Sequence, residues 1–266
     1  MSAEEYTIQG GREGKRRLEV LGTICDAGTG RILDRLGSIE GFSALDVGCG
    51  GGNVTLEIAR RVGPSGRVVG IDFDVEILEL ARLDAKAAGL EHVEFRRGDA
   101  RAPDGGPYDL VSARFVLSHL ADPQQVVSAL AGALAPGGFL VLEDTDWSGM
   151  FTVPTDPVVS RGVETYRETL RRGGGDGDLG QRLPHLVAGA GLEVVALQAD
   201  HPLLTGPQRQ LLPNTLRMME PHVIGRGVTT PERLDALVAE YQAFIADPAV
   251  LVGCPRVVQI AGRKSP

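Results

Sequence analysis

The sequence predicts an α/β protein, a sheet of seven strands with helices on both faces, and three observations carry that prediction. From about residue 44, short β-branched runs alternate with longer stretches whose apolar residues recur every three or four positions. The connections hold chain breakers, as in Gly63-Pro64-Ser65-Gly66, Pro103-Asp104-Gly105-Gly106-Pro107 and Pro136-Gly137-Gly138. The first strand, Ala44-Leu45-Asp46-Val47, runs directly into Gly48-Cys49-Gly50-Gly51-Gly52 and then into a helical pattern.

Taken in order, the strands fall at residues 43–47, 67–72, 93–98, 108–113, 138–144, 192–200 and 255–263, and amphipathic helices at 53–62, 75–88, 123–135 and 183–189. Two segments stand outside this alternation. Residues 12–36 read as two short helices, with Leu18, Leu21, Ile24, Ile32, Leu33 and Leu36 as apolar contacts, and residues 206–247 read as helices broken by Pro213, Pro221 and Gly225-Arg226-Gly227. In an open α/β sheet ligands bind outside the carboxyl ends of the strands, so both segments are placed to roof that crevice. The expected organisation is one domain, with a lid at 1–40, a core at 41–205 and 248–266, and a cap at 206–247. The run Gly173-Gly174-Gly175-Asp176-Gly177-Asp178 reads as a mobile surface loop.

Bulk properties narrow the function. Of the 266 residues 42% are hydrophobic and 23% charged, values that support a folded core. A net charge of −8 argues against nucleic acid, whose binders need clustered Lys and Arg, and Lys15-Arg16-Arg17 is too short to reverse that. Cys25, Cys49 and Cys254 lie far apart, which suggests neither zinc nor a disulfide framework and fits a reducing cytoplasm. The polar start Met1-Ser2-Ala3-Glu4-Glu5 lacks the marks of a signal peptide. The most apolar later stretch, 186–199, is interrupted by Glu193 and falls short of the roughly 20 residues that span a bilayer. The expected partner is a small-molecule acceptor, with no nucleic acid, no membrane, no metal, and a homodimer as a possible assembly.

Asp72 follows the glycine turn by about twenty residues at the end of the second strand, where a carboxylate can accept from both hydroxyls of a ribose. Asp99-Ala100 ends the third strand and suits an adenine amino group. A dinucleotide turn reads G-x-G-x-x-G, but its third glycine is here Asn53, and Asp46 just before the loop repels a pyrophosphate while suiting an ammonium and a sulfonium. An NAD-dependent oxidoreductase is therefore disfavoured.

Leu45-Asp46-Val47-Gly48-Cys49-Gly50-Gly51-Gly52, Gly70-Ile71-Asp72, Gly98-Asp99-Ala100, Tyr108-Asp109-Leu110-Val111 and Leu134-Ala135-Pro136-Gly137-Gly138 together resemble the successive motifs of class I S-adenosylmethionine-dependent methyltransferases. The resemblance covers roughly residues 40–145. It implies a Rossmann-like sheet whose final strand, 257–263, is antiparallel. It also implies S-adenosyl-L-methionine as cofactor, with the first motif (Asp46, Gly48, Gly50) holding the methionine part, Asp72 and Phe73 the ribose, and Asp99-Ala100 facing adenine. Tyr6, in Tyr6-Thr7-Ile8-Gln9-Gly10-Gly11, resembles a bacterial subgroup in which this region covers the cofactor.

Methyl transfer is an in-line displacement in which the sulfonium loses its charge, so alignment in a water-poor site matters more than acid catalysis. Where the acceptor is a protonated hydroxyl or amine a base helps. His119, after the fourth strand, is the first candidate, His222 in the cap the second, and His201 the third. Arg114, followed by Phe115, could bind the cofactor carboxylate bidentately. At the end of the fifth strand, Glu143 could orient the acceptor and Trp147 stack on it, although Glu143, Asp144 and Asp146 could equally form a solvated loop. The function expected is methylation of a small metabolite at oxygen, nitrogen or carbon, in secondary metabolism. The rival from another class is a protein that binds the cofactor without transferring methyl, as a regulator or a cyclase.

Overall fold

The structure, a computed structural model, describes residues 11–266. Along the chain, α1 (Gly11–Asp34), β1 (Ser43–Val47), α2 (Asn53–Val62), β2 (Arg67–Asp72), α3 (Val75–Ala87), β3 (Val93–Arg97) and β4 (Tyr108–Arg114) are followed by α4 (Pro123–Gly132), β5 (Leu134–Asp146), β6 (Phe151–Val153), α5 (Pro157–Arg172) and α6 (Leu183–Gly189). Then come β7 (Glu193–Asp200), β8 (Leu203–Leu204), α7 (Leu211–Met218), α8 (Glu220–Gly225), α9 (Pro231–Ile245), β9 (Leu251–Gly253) and β10 (Arg256–Arg263).

Seven strands form the main sheet in the order β3-β2-β1-β4-β5-β10-β7. The strands from β3 to β5 are mutually parallel, and β10 runs antiparallel to both β5 and β7, so the final strand has the expected direction. Each expected strand appears, most with ends shifted by one or two residues. The largest change is in β5, which begins four residues early. Because β1 pairs with β2 on one side and β4 on the other, chain order reverses there, and a crevice opens at the carboxyl ends.

Two apolar layers cover the sheet. On one face Ile32 and Leu33 of α1 and Ile58 and Val62 of α2 pack on Ala44, Val68 and Leu110. On the other, Val127 and Leu130 of α4 and Leu183 and Val187 of α6 pack on Leu45, Val111 and Leu142. A separate core lies above the carboxyl edge, where α5, α7, α8 and α9 bury Val163, Leu212, Val223 and Val238 against Leu21 and Cys25 of α1.

That upper core differs from expectation in several ways. Residues 11–34 form one helix of 24 residues rather than two. Its internal glycines mark close approach instead of breaks, since a Cβ at Gly22 would lie 2.7 Å from Asn53 Nδ2 and one at Gly28 2.5 Å from Gln259 Nε2. α5, absent from the expected elements, starts at an Asp156 cap whose carboxylate accepts from Val158 N at 2.8 Å, with Pro157 in the first turn. It packs on α7, α8 and α9, so it belongs with the cap and not with the sheet. The short strands β6, β9 and β8 add a second, antiparallel sheet. The Gly173–Asp178 run is tied down rather than free: Asp176 N donates to Ser118 O (2.9 Å), and Trp147 N donates to Gly177 O.

Candidate active site

Between the sheet edge and the upper core lies a cavity that runs from the glycine turn to the cap helices. Its floor is the glycine turn. Gly48 (φ 65°) and Gly50 (φ 50°) take left-handed conformations that disfavour a side chain. A Cβ on Gly48 would also collide with Val116 Cγ2, and one on Gly50 would lie 2.7 Å from Leu18 Cδ1. The bare backbone thus forms a cradle against which Val116 and Leu18 pack, with no room for a Cβ at either glycine.

At the end of β2, Asp72 fixes the turn while facing the cavity. Its carboxylate accepts from Gly50 N (2.9 Å) and Asp74 N (3.0 Å), which leaves further lone pairs toward the cavity. Burial raises its pKa, partly offset by those backbone donors. Phe73, Asp99 and Ala100 line the same end. The Asp99 carboxylate also holds the Arg101 guanidinium at 2.9 Å.

Other expected residues sit elsewhere. Asp46 is buried beneath the turn and does not line the cavity: its two oxygens accept from Thr55 Oγ1 and Ser112 Oγ, both at 2.6 Å. Its part is to anchor the loop from below, and burial raises its pKa. Arg114 does line the cavity, but its Nη1 donates to Asp26 (2.8 Å) and Thr29 (2.9 Å) of α1, so it joins β4 to the lid helix instead of offering a free fork. Phe115 beside it lines the cavity at φ 58°, the one described non-glycine residue with positive φ. Tyr6 lies outside the described residues.

Glu143 is not an acceptor ligand in this geometry. It is buried behind Arg114, accepts from Thr29 Oγ1 at 3.1 Å, and burial raises its pKa to about 7 despite the Arg114 charge. Nor are the strand-five acids a solvated loop. Asp144 accepts from Ser118 N (3.0 Å), and Asp146 holds Ser148 Oγ and Arg256 at 2.5 Å. Trp147, by contrast, lines the cavity and stacks on Tyr166 of α5 with ring centroids 4.0 Å apart.

Of the three candidate histidines, only His119 lines the cavity. Burial, with Arg17 and Arg226 nearby, lowers its pKa to about 3, so the imidazole stays neutral and is a poor proton acceptor. His222 sits half-buried on α8 and His201 is exposed against Phe151, both away from the cavity. Residue type alone does not distinguish an inward from an outward histidine. Sequence reasoning also missed the residues of α1, α5 and α7 that close the space, chiefly Arg17, Tyr166 and Leu211. Arg17, Leu18, Leu21 and Cys25 recur at three- and four-residue spacing on one helical stripe, a signal that was available.

Among the described residues no helix is long and apolar enough to cross a membrane, and no group of His, Cys, Asp and Glu could hold a metal.

A family model for a methyltransferase domain matches residues 39–171. Demethylmenaquinone methyltransferase of Lactococcus lactis is 33% identical over 138 residues, 51% of this chain and 52% of that protein. The chain spans about half the length of the curated relatives it matches. Among solved structures, the YcgJ protein of Bacillus subtilis superposes with a TM-score of 0.61 at 18% identity, covering 91% of this chain and 99% of that one. Geranyl diphosphate C-methyltransferase of Streptomyces coelicolor, in complex with S-adenosyl-L-homocysteine, gives 0.55 at 18% identity and covers 90% and 76%. These two likenesses concern the fold.

Proposed function

The chain belongs to the class I S-adenosylmethionine-dependent methyltransferases, and from that premise we propose that it methylates a small organic acceptor held between the glycine turn and the helical cap. One observation carries the reading: a single cavity is bounded at one end by Gly48, Gly50 and Asp72 and at the other by Leu21, Trp147 and Leu211. S-adenosyl-L-methionine fits the first end, where the glycine cradle admits its amino-acid part and Asp72 can accept from ribose hydroxyls. When bound it supplies a methyl group on a sulfonium, whose C–S bond breaks as the acceptor's new bond forms.

The chain's own residues contribute position and dryness. Asp46 and Asp72 hold the turn from below and from the side, so the cradle is formed before binding. Leu21 and Leu211 exclude water from the cap end and Leu18 from the turn, which favours close in-line approach. His119, neutral across the physiological range, acts as a wall residue, so His119→Asn is expected to lower turnover by less than about tenfold, where loss of a general base typically costs 10² to 10⁴. Steady-state rates at pH 7.5 decide this, and a drop of 10³ would restore His119 as the base.

The cytoplasm is the compartment we propose, on the three free and buried cysteines. Assignment to secondary metabolism rests on the enclosed apolar cap alone. The test is to incubate the protein with methyl-labelled cofactor and a small-molecule extract of its source cells. Label in a low-molecular-weight product is expected. Cofactor binding without labelled product would favour a binding protein, and NAD binding in its place would remove the reading altogether.

A further inference from the structure

The two ends of the cavity differ in charge. Every carboxylate in its lining, Asp72, Asp74 and Asp99, belongs to the ends of β2 and β3 or the turns that follow them. The cap end has none. There two buried donors, Arg17 Nε and Trp147 Nε1, have no hydrogen-bond acceptor among the described residues. Arg17 has no ion pair there either, whereas Arg114, the other guanidinium in the lining, is held by Asp26. Cys25 and Cys254, also in the wall, are thiols whose pKa burial pushes up, so they add no negative charge.

Arg17 lies at the cap end and not over the glycine turn. Lys15 and Leu18 cover the turn, with Lys15 Cγ 3.5 Å from where a Gly51 Cβ would stand. Arg17 instead shares with Leu211 the boundary between the cavity and an adjoining groove lined by Arg16, Val20, Pro207 and Met218. Arg16 there is exposed, so the mouth of the groove is basic in a chain whose net charge is −8. A half-buried guanidinium and a buried indole N–H, both unanswered, carry a desolvation cost that an oxygen-bearing ligand would offset. The flat Trp147–Tyr166 stack and the apolar wall require the rest of that ligand to be planar or apolar.

Resting on the methyltransferase reading, we propose that the acceptor is an aromatic or conjugated carboxylic acid, bound as its anion, with Arg17 taking the carboxylate and Trp147 Nε1 donating to an oxygen of the same molecule. The anion enters past Arg16 and the ring lies against Trp147 and Tyr166. A carboxylate and not a phosphate is specified because one unpaired guanidinium, the other in the wall being already neutralised by Asp26, matches one charge bidentately.

Trp147 is the chain's one tryptophan, so its fluorescence reports occupancy of this wall directly. With S-adenosylhomocysteine saturating, three pairs are titrated by fluorescence and calorimetry: benzoate and benzamide, cinnamate and cinnamamide, 2-naphthoate and 2-naphthamide. For at least one pair the acid is expected to bind tenfold or more tighter than its neutral amide and to perturb Trp147. In Arg17→Gln that preference should fall to within twofold while amide affinity is kept. Trp147→Phe should weaken acid and amide alike. The proposal is overturned if no pair shows the preference, no binding included, or if the preference survives Arg17→Gln. It is equally overturned if Arg17→Gln weakens S-adenosylhomocysteine while leaving the acids unaffected, which would assign Arg17 to the cofactor. Failure of the wild-type protein to bind S-adenosylhomocysteine is a separate result and removes the methyltransferase reading itself.

Discussion

The floor of the cavity and its roof are built on different principles. The floor is backbone: Gly48 and Gly50 in left-handed conformations, with Asp72 accepting from Gly50 N and Asp46 fastening β1 to α2 and β4 on either side of the turn. The roof is side chain, with helices α1, α5, α7, α8 and α9 joined by apolar contacts and tied to the sheet through a few polar links. Arg114–Asp26 and Thr29–Glu143 are two such links, and Lys15–Asp84 ties α1 to α3. A backbone device tolerates almost no substitution, whereas a packed cap accepts change wherever volume is kept. One arrangement suits a cofactor of fixed shape and the other a variable acceptor.

The contrast breaks most sharply at Gly48. Gly48→Ala puts a Cβ against Val116 in a left-handed backbone, and a strain of on the order of 2–3 kcal/mol should weaken S-adenosylhomocysteine about a hundredfold. Calorimetric titration checks it, alongside circular dichroism to show that the fold persists. Affinity within threefold of wild type would mean that the turn is not the floor.

The joint between the two regions is tested at Glu143. Its folded pKa, raised by burial to about 7 from 4.5, means that this site's contribution to stability is whole below about pH 4.5 and is lost as pH rises through 7. Glu143→Gln removes the ionisation and can still accept from Thr29. Relative to wild type the variant should therefore gain about 1–3 kcal/mol between pH 5 and pH 8. Urea unfolding at the two pH values measures this, and an equal difference at both would show Glu143 to be ionised in the fold throughout.

Smaller effects follow. Asp72→Ala should weaken S-adenosylhomocysteine at least tenfold, about 1.4 kcal/mol, since charged hydrogen bonds contribute roughly 1.5–3. Unchanged affinity removes Asp72 from the site. Lys15→Ala loses an ion pair whose Asp84 is half-exposed, and thermal unfolding should register less than about 1 kcal/mol. A larger loss would make that tie a main fastening of the lid.

The same contrast explains what could be read in advance. Strands of the parallel core announce themselves by β-branched runs between glycine and proline turns, and Asp72 and Asp99 by standing at strand ends. The roof offered weaker local signals. Residues 12–36 read as two short helices, yet they form one whose Gly22 and Gly28 let α1 press directly on Asn53 and Gln259. α5 carries Gly162, β-branched residues and many charges, so only its Asp156-Pro157 start marked it. β6, β8 and β9 are too short, at two or three residues, for alternation to show. The inward side of His119 and the buried pairing of Glu143 are products of tertiary packing alone.

A crystal structure of the S-adenosylhomocysteine complex tests the central claim most directly. The account predicts both ribose hydroxyls within hydrogen-bond distance of the Asp72 carboxylate, the amino-acid part in the Gly48–Gly50 cradle, and the sulfur facing the Trp147 wall. A nucleoside bound outside this cavity, or a sulfur turned away from the cap, would contradict it.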